Sequence, residues 1–178
     1  MAHSIFEKAD LESIQWQTTQ SKMIARQMNF PEALDLEISN YAQELLNIYK
    51  DSSLFTLVQE GRVFGKEISF STLTPSDSPF ERAIGVGYID LLVEDKNKEL
   101  IIVDYKTNKN PYEGEQGAIK RFSEEILNTY LIPMKVYLEA VCDAFPGRTV
   151  RAALYHTPSG GLFHYGDELV KTVLPHIY

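Results

Sequence analysis

Two apolar runs dominate the hydrophobic pattern of this chain. The first, Val86 to Val93, is largely β-branched and aliphatic around a single acid, Asp90. The second, Glu99 to Tyr105, reads Glu-Leu-Ile-Ile-Val-Asp-Tyr and then meets Lys106. The polar stretch between them, Glu94 to Lys98, predicts the short turn of a hairpin. Side chains alternate faces along a strand, so Asp104 and Lys106 point the same way. If the hairpin pairs, Asp90 lies across from them on the same sheet.

The rest of the pattern predicts a helical frame. Ala2 to Leu11 reads as helix, with Ile5, Phe6 and Ala9 on one side. Asn29-Phe30-Pro31-Glu32 opens a second helix, with proline tolerated in its first turn, along which Leu34, Ile38, Tyr41, Leu45, Ile48 and Tyr49 recur at helical spacing. After Asp51-Ser52-Ser53 a short helical segment covers Leu54 to Glu60. Val63 to Phe70 is a strand carrying Glu67, and Thr74 to Pro79 a loop. Beyond the hairpin comes a turn-rich loop, Asn108 to Gly114, then helix from Glu115 to Asn128. A further helical segment, Tyr130 to Phe145, contains Pro133, which marks a kink or a fresh start. Thr149 to Tyr155 is a strand, Ser159-Gly160-Gly161 a hairpin turn, Leu162 to Tyr165 the return strand, and Asp167 to Leu174 a last helical turn or two. This order predicts an α/β (α+β) fold, a central mixed β-sheet flanked by helices.

Composition narrows the classes. A chain of 178 residues with 44% hydrophobic and 24% charged content is an ordinary globular domain with a real core. Cys142 is the only cysteine, so no internal disulfide forms, and its apolar surroundings point to packing in a reducing compartment. No apolar stretch reaches membrane-spanning length, and no signal-peptide pattern opens the chain. The net charge of −8 argues mildly against a free-standing nucleic-acid binder, because phosphate contacts need Lys and Arg. It does not exclude a nuclease, whose clustered carboxylates add negative charge until a metal is bound.

Acids inside apolar strands cost free energy unless paired or coordinated. Two carboxylates converging beside a lysine suit a hard cation such as Mg²⁺, which takes oxygen ligands from carboxylates, water and phosphate. A lysine there can orient or deprotonate an attacking water, or offset charge on the phosphate. The histidines His156, His164 and His176 show no zinc-ligand spacing. Gly85-Val86-Gly87 is no phosphate-cradling loop, and no Walker motif occurs. Lys109, Lys120 and Arg121 follow Lys106 and are candidates for tracking a DNA backbone, or a solvated helix face.

The Asp…(Asp/Glu)-x-Lys set resembles that of the restriction-endonuclease-like, PD-(D/E)XK, nucleases. Within them the chain resembles the nuclease domain of the bacterial RecB and AddA helicase-nucleases, the exonuclease V type. Asp104-Tyr105-Lys106-Thr107-Asn108 matches that family's Asp-Tyr-Lys-(Thr/Ser) motif, and Gly87-Tyr88-Ile89-Asp90-Leu91 its Gly-x-Ile-Asp strand. Phe64 to Phe70 resembles its strand bearing Glu-x-x-Phe, and Ala2-His3-Ser4-Ile5-Phe6-Glu7 its opening helix. The resemblance runs from His3 to Tyr165. It implies a restriction-endonuclease-like core, with His3, Asp90, Asp104 and the carbonyl of Tyr105 as metal ligands and Lys106 as the catalytic lysine. It further implies a Mg²⁺-dependent deoxyribonuclease, with Mn²⁺ as a substitute, acting in bacterial recombination and double-strand-break repair in the cytoplasm. The partners implied are DNA, a helicase domain of the same polypeptide and the other subunits of its complex. Residues 1–178 would then be a single nuclease domain, the C-terminal part of a longer chain.

Some positions stay open. Glu67 is a supporting acid or a solvent-facing charge on an edge strand, and Tyr105 is a ligand or simple packing. The family's Tyr-x-x-Gln-x-x-x-Tyr helix corresponds to Tyr130 through Tyr137, with both tyrosines present but Pro133 in place of glutamine. Either Gln116 or another residue serves, or the DNA-contact helix is modified. The alternative to an active nuclease is a nuclease-like module, weak or inactive, that binds DNA or braces a helicase complex.

Overall fold

The computed structural model describes residues 1–11, 18–31, 34–74, 83–166 and 169–172. Its elements, in order, are α1 (Ala2–Lys8), α2 (Thr18–Gln27), α3 (Asp35–Lys50), α4 (Ser53–Glu60), β1 (Arg62–Thr74), β2 (Ala83–Glu94), β3 (Leu100–Lys106), α5 (Ala118–Thr129), α6 (Leu131–Ala144), β4 (Thr149–His156), β5 (Gly161–His164) and β6 (Val170–Thr172). The strands form one mixed sheet in the order β1-β2-β3-β4-β5, with β6 also on β4. β1, β2 and β3 run antiparallel in sequence, and β3 and β4 are parallel, joined by the α5–α6 crossover. β5 pairs with Ala153–His156 of β4 and β6 with Thr149–Arg151, so the two short strands share the edge that β3 leaves free.

The sheet separates two apolar layers. Leu91, Val93, Ile101, Val103, Tyr105, Ala153 and Tyr155 pack with α1 to α4. Leu92, Leu100, Ile102, Val150, Ala152 and Leu154 pack with Phe122 and Ile126 of α5 and Met134, Leu138, Val141 and Cys142 of α6. A strand covered on both faces reads as a continuous apolar run, which is why β3 is buried from Leu100 to Tyr105. The predicted mixed sheet flanked by helices is the observed architecture. Among the described residues no helix is long and apolar enough to cross a membrane.

Four local readings change. α2 went unread because its buried apolar positions reduce to Ile24 and Ala25 in a polar segment. Asn29-Phe30 terminates that helix and does not open the next. Asn29 is left-handed (φ 54°), with its N–H on Arg26 O (3.2 Å) and Phe30 N–H on Ala25 O (2.8 Å), a Schellman end that asparagine tolerates. Val170–Thr172 is strand where a helical turn was expected, because the free edge of β4 takes it; positions 167, 168, 173 and 174 lie outside the described residues, as does the loop expected from 74 to 79 except Thr74, which ends β1. Finally, α5 begins at Ala118, not Glu115. It ends at Thr129, so Pro133 stands third in a fresh helix, where its missing N–H removes no helical bond.

Candidate metal centre

Glu67, Asp90 and Asp104 come from three neighbouring strands. The pairs Lys66↔Leu91 and Ile68↔Ile89 flank Glu67 and Asp90, which therefore stand side by side on β1 and β2. β2 and β3 pair from Glu94↔Leu100 to Leu91↔Val103, and one further step sets Asp90 opposite Asp104. The ladder ends there. Asp90 Oδ2 takes the place of a backbone acceptor and receives the Tyr105 N–H at 2.6 Å.

The β1–β2 ribbon also changes facing at this point. Lys66 and Leu91 reach the α1 side, whereas Ile68 and Ile89 pack on the α6 side. In regular strand, positions two apart share a face. The reversal falls on Glu67, whose φ of 51° is left-handed, a conformation that costs a residue with a Cβ about 1–3 kcal/mol. Gly65 beside it sits at a bulge in the same pairing. The turned backbone aims the Glu67 carboxylate toward the end of α1.

There His3 closes the cluster. Its Nε2 lies 2.8 Å from Asp90 Oδ1 and its Nδ1 3.6 Å from Glu67 Oε1. One ligand atom from each of His3, Glu67 and Asp90 lies within 4.8 Å of the others. Glu67 Oε1 is buried and makes no hydrogen bond, a carboxylate oxygen left available for a cation. Imidazole with carboxylates is a donor set that divalent cations accept, so the residues present fit one.

The electrostatics are those of crowded acids. The Asp90 hydrogen bond raises the His3 pKa above 6.5 against the opposing effect of burial, with further help from Asp90, Glu67 and Asp104 charges. Burial pushes the Glu67 carboxyl up, with Asp90 and Glu7 adding to it and His3 opposing. Burial and the Asp90 charge push Asp104 up, while Lys106 pulls it down. Asp104 Oδ2 is paired with the Lys106 ammonium, both side chains largely buried.

Lys106 is held from its other side by an aromatic ring. Its Nζ lies 3.9 Å from the Tyr130 ring centroid, and the Tyr130 hydroxyl donates to Asn108 Oδ1 at 3.4 Å. Tyr137 lies close enough for burial and the Asp104 and Asp90 charges to raise its pKa. Its ring meets Phe70 edge-on at 5.3 Å, and Phe70 in turn covers Gly87, where an added Cβ would stand 2.9 Å from the Phe70 ring. The Phe of the Glu-x-x-Phe stretch and the Gly of Gly-x-Ile-Asp are thus one contact.

Of the residues singled out from the sequence, the structure brings together His3, Glu67, Asp90, Asp104 and Lys106, with Tyr130 and Tyr137 alongside. Glu67, a supporting acid or a solvent-facing charge by sequence, turns inward beside His3 and Asp90, with the Asp104–Lys106 pair next to them. Tyr105 meets the site through its N–H and through its ring, which stands edge-on to the His3 ring at 5.8 Å and packs among Phe6, at 5.1 Å, and Tyr155, at 6.2 Å. Lys109 is exposed, Lys120 is 3.9 Å from Glu124, and Arg121 stacks on Tyr112 at 3.9 Å and lies 3.5 Å from Glu115. Gln116 is exposed in the loop before α5. Lys66, which no sequence pattern singled out, proves to border the centre.

Residues 3–172 match the family model described as the PD-(D/E)XK nuclease superfamily. A search of curated proteins finds no match to the chain.

Proposed function

Because the chain belongs to the PD-(D/E)XK nuclease superfamily, we propose that it is a divalent-cation-dependent deoxyribonuclease. The observation that carries this reading is the convergence of His3, Glu67 and Asp90 beside the Asp104–Lys106 pair. His3, Glu67, Asp90 and Asp104 are the groups that would hold the cation, Mg²⁺ or Mn²⁺. A bound cation would lower the pKa of a coordinated water and stabilise charge on the phosphodiester under attack. Asp90 has a second task, since its other oxygen secures the Tyr105 N–H and with it the end of β3. Lys106 is the group to orient the attacking water or meet a phosphate oxygen. Its ammonium is fixed between Asp104 and the Tyr130 ring, which confines the donor to one side of the acids. The motif resemblance supports the finer reading that this activity is an exonuclease of the RecB and AddA type, linked to a bacterial helicase in recombination and double-strand-break repair in the cytoplasm.

Cleavage of linear and circular, single- and double-stranded DNA with Mg²⁺, Mn²⁺ and chelator tests the proposal. In a folded protein, Asp90→Ala should abolish metal-dependent cleavage and Lys106→Ala should cut it by about 10²–10³-fold. Wild-type cleavage by both variants would overturn it. A wild-type protein that binds DNA without cleaving it would instead be a nuclease-like scaffold.

A further inference from the structure

We infer that Lys66 is a positioning residue for the metal centre, acting through α1. The helix that carries His3 has seven residues, too few to be stable alone in water. Its last carbonyls lack intrahelical partners, as at any helix end. Here three successive carbonyls accept side-chain donors from elsewhere in the fold. Lys66 Nζ donates to Glu7 O at 2.8 Å and to Ala9 O at 2.6 Å, and Gln20 Nε2 donates to Lys8 O at 2.6 Å. An ammonium at a helix C-terminus also meets the negative end of the helix dipole.

What makes Lys66 more than a cap is its place in the chain. It directly precedes Glu67, whose left-handed backbone sends the two side chains on separate errands, Lys66 to the end of α1 and Glu67 to His3. One short piece of β1 thus grips the helix at its C-terminal end and meets its histidine at the other. On the α1 side, Ile5 and Phe6 anchor the helix by burial, but apolar contact alone leaves rotation about the helix axis weakly defined. The two directed Lys66 bonds set that rotation, and with it the approach of His3 to Glu67 and Asp90.

This inference rests on the metal reading of the cluster, and two measurements separate the two. In the metal-free protein, Lys66→Met keeps the aliphatic stem and removes the donors. Amide hydrogen exchange of α1 should accelerate at least tenfold while β2 and β3 stay protected. Unchanged α1 protection would overturn the inference whether or not any metal binds. Calorimetric titration with Mn²⁺ should then show K66M binding at least fivefold more weakly than wild type. In a His3→Ala background the same substitution should change affinity less than twofold, because the ligand it positions is gone. Multiplying, independent losses would mean that Lys66 only adds stability. Should K66M not fold, Lys66→Gln, whose amide nitrogen lies one bond closer to the backbone, weakens the same two bonds; wild-type α1 exchange in that variant would overturn the inference.

Discussion

At the scale of single residues the centre is a contest between protons and a cation for the same atoms. Burial holds the Glu67 and Asp104 carboxyls above their usual range, so the metal-free folded protein keeps protons that the unfolded chain has already released. Their ionisation lowers stability as pH rises from the ordinary carboxylate range through the raised folded values. Glu67→Gln removes its share. The melting temperature of the metal-free variant should exceed that of wild type by a margin that grows as pH rises above the ordinary carboxylate range, the opposite of the usual loss on deleting a surface acid. The raised His3 pKa works in the same direction. Its stabilisation is full below 6.5 and is lost as pH rises through the raised value. A cation needs the bare ring nitrogen, so Mn²⁺ affinity measured by calorimetry should rise with pH through that range, and His3→Ala should flatten the slope. Lys106→Ala should reduce cleavage by about 10²–10³-fold, the loss typical of one charged or hydrogen-bonding group aimed at the transition state. Lys106→Arg should restore little of it, since a planar guanidinium cannot replace a compact ammonium over the Tyr130 ring between fixed neighbours.

Elements join around this centre at points that tolerate little change. Gly61 links α4 to β1, and a Cβ there would stand 2.3 Å from Glu94 O and 2.7 Å from Leu57 O, both rigid backbone. Gly61→Ala should cost about 1–3 kcal/mol in denaturant unfolding, with Mn²⁺ affinity little changed because Glu67 lies beyond the bulge. α6 gives the opposite result. Its proline is third in the helix, where no intrahelical partner for its nitrogen is expected. Pro133→Ala should therefore change stability by less than about 1 kcal/mol, whereas release of a mid-helix proline would add about 3 kcal/mol. A large gain would show that α5 and α6 are one strained helix. Periodicity made α3, α4 and α6 legible because each buries a regular stripe. α2 was not, since its buried apolar side chains are only Ile24 and Ala25 and it closes on a Schellman end. β6 is three residues whose strand character exists only because β4 offers an edge.

For the whole molecule, the centre is a junction of α1, β1, β2 and β3, so an occupied site should stabilise the fold globally. Mn²⁺ at a hundredfold excess over its Kd adds about 2.7 kcal/mol, which for a chain of this size raises Tm by roughly 5–10 °C. Differential scanning calorimetry should show that shift in wild type, its reversal by chelator, and its absence in Asp90→Ala. A shift that survives in Asp90→Ala would place the cation elsewhere.

The strand hairpin with Asp90, Asp104 and Lys106, the sheet flanked by helices and the order of most elements were determined by the sequence itself. Those features rest on spacings of two and of three to four residues, which short stretches of chain record. Tertiary structure alone decided that Glu67 turns inward and that Lys66 ties α1 to β1. Each depends on register between segments far apart in the chain: the bulge at Gly65, the left-handed turn at Glu67, and a helix end almost sixty residues away from its donor. Such couplings leave no periodic trace, because a single lysine or glutamate in a strand reads the same whether it faces water or a metal.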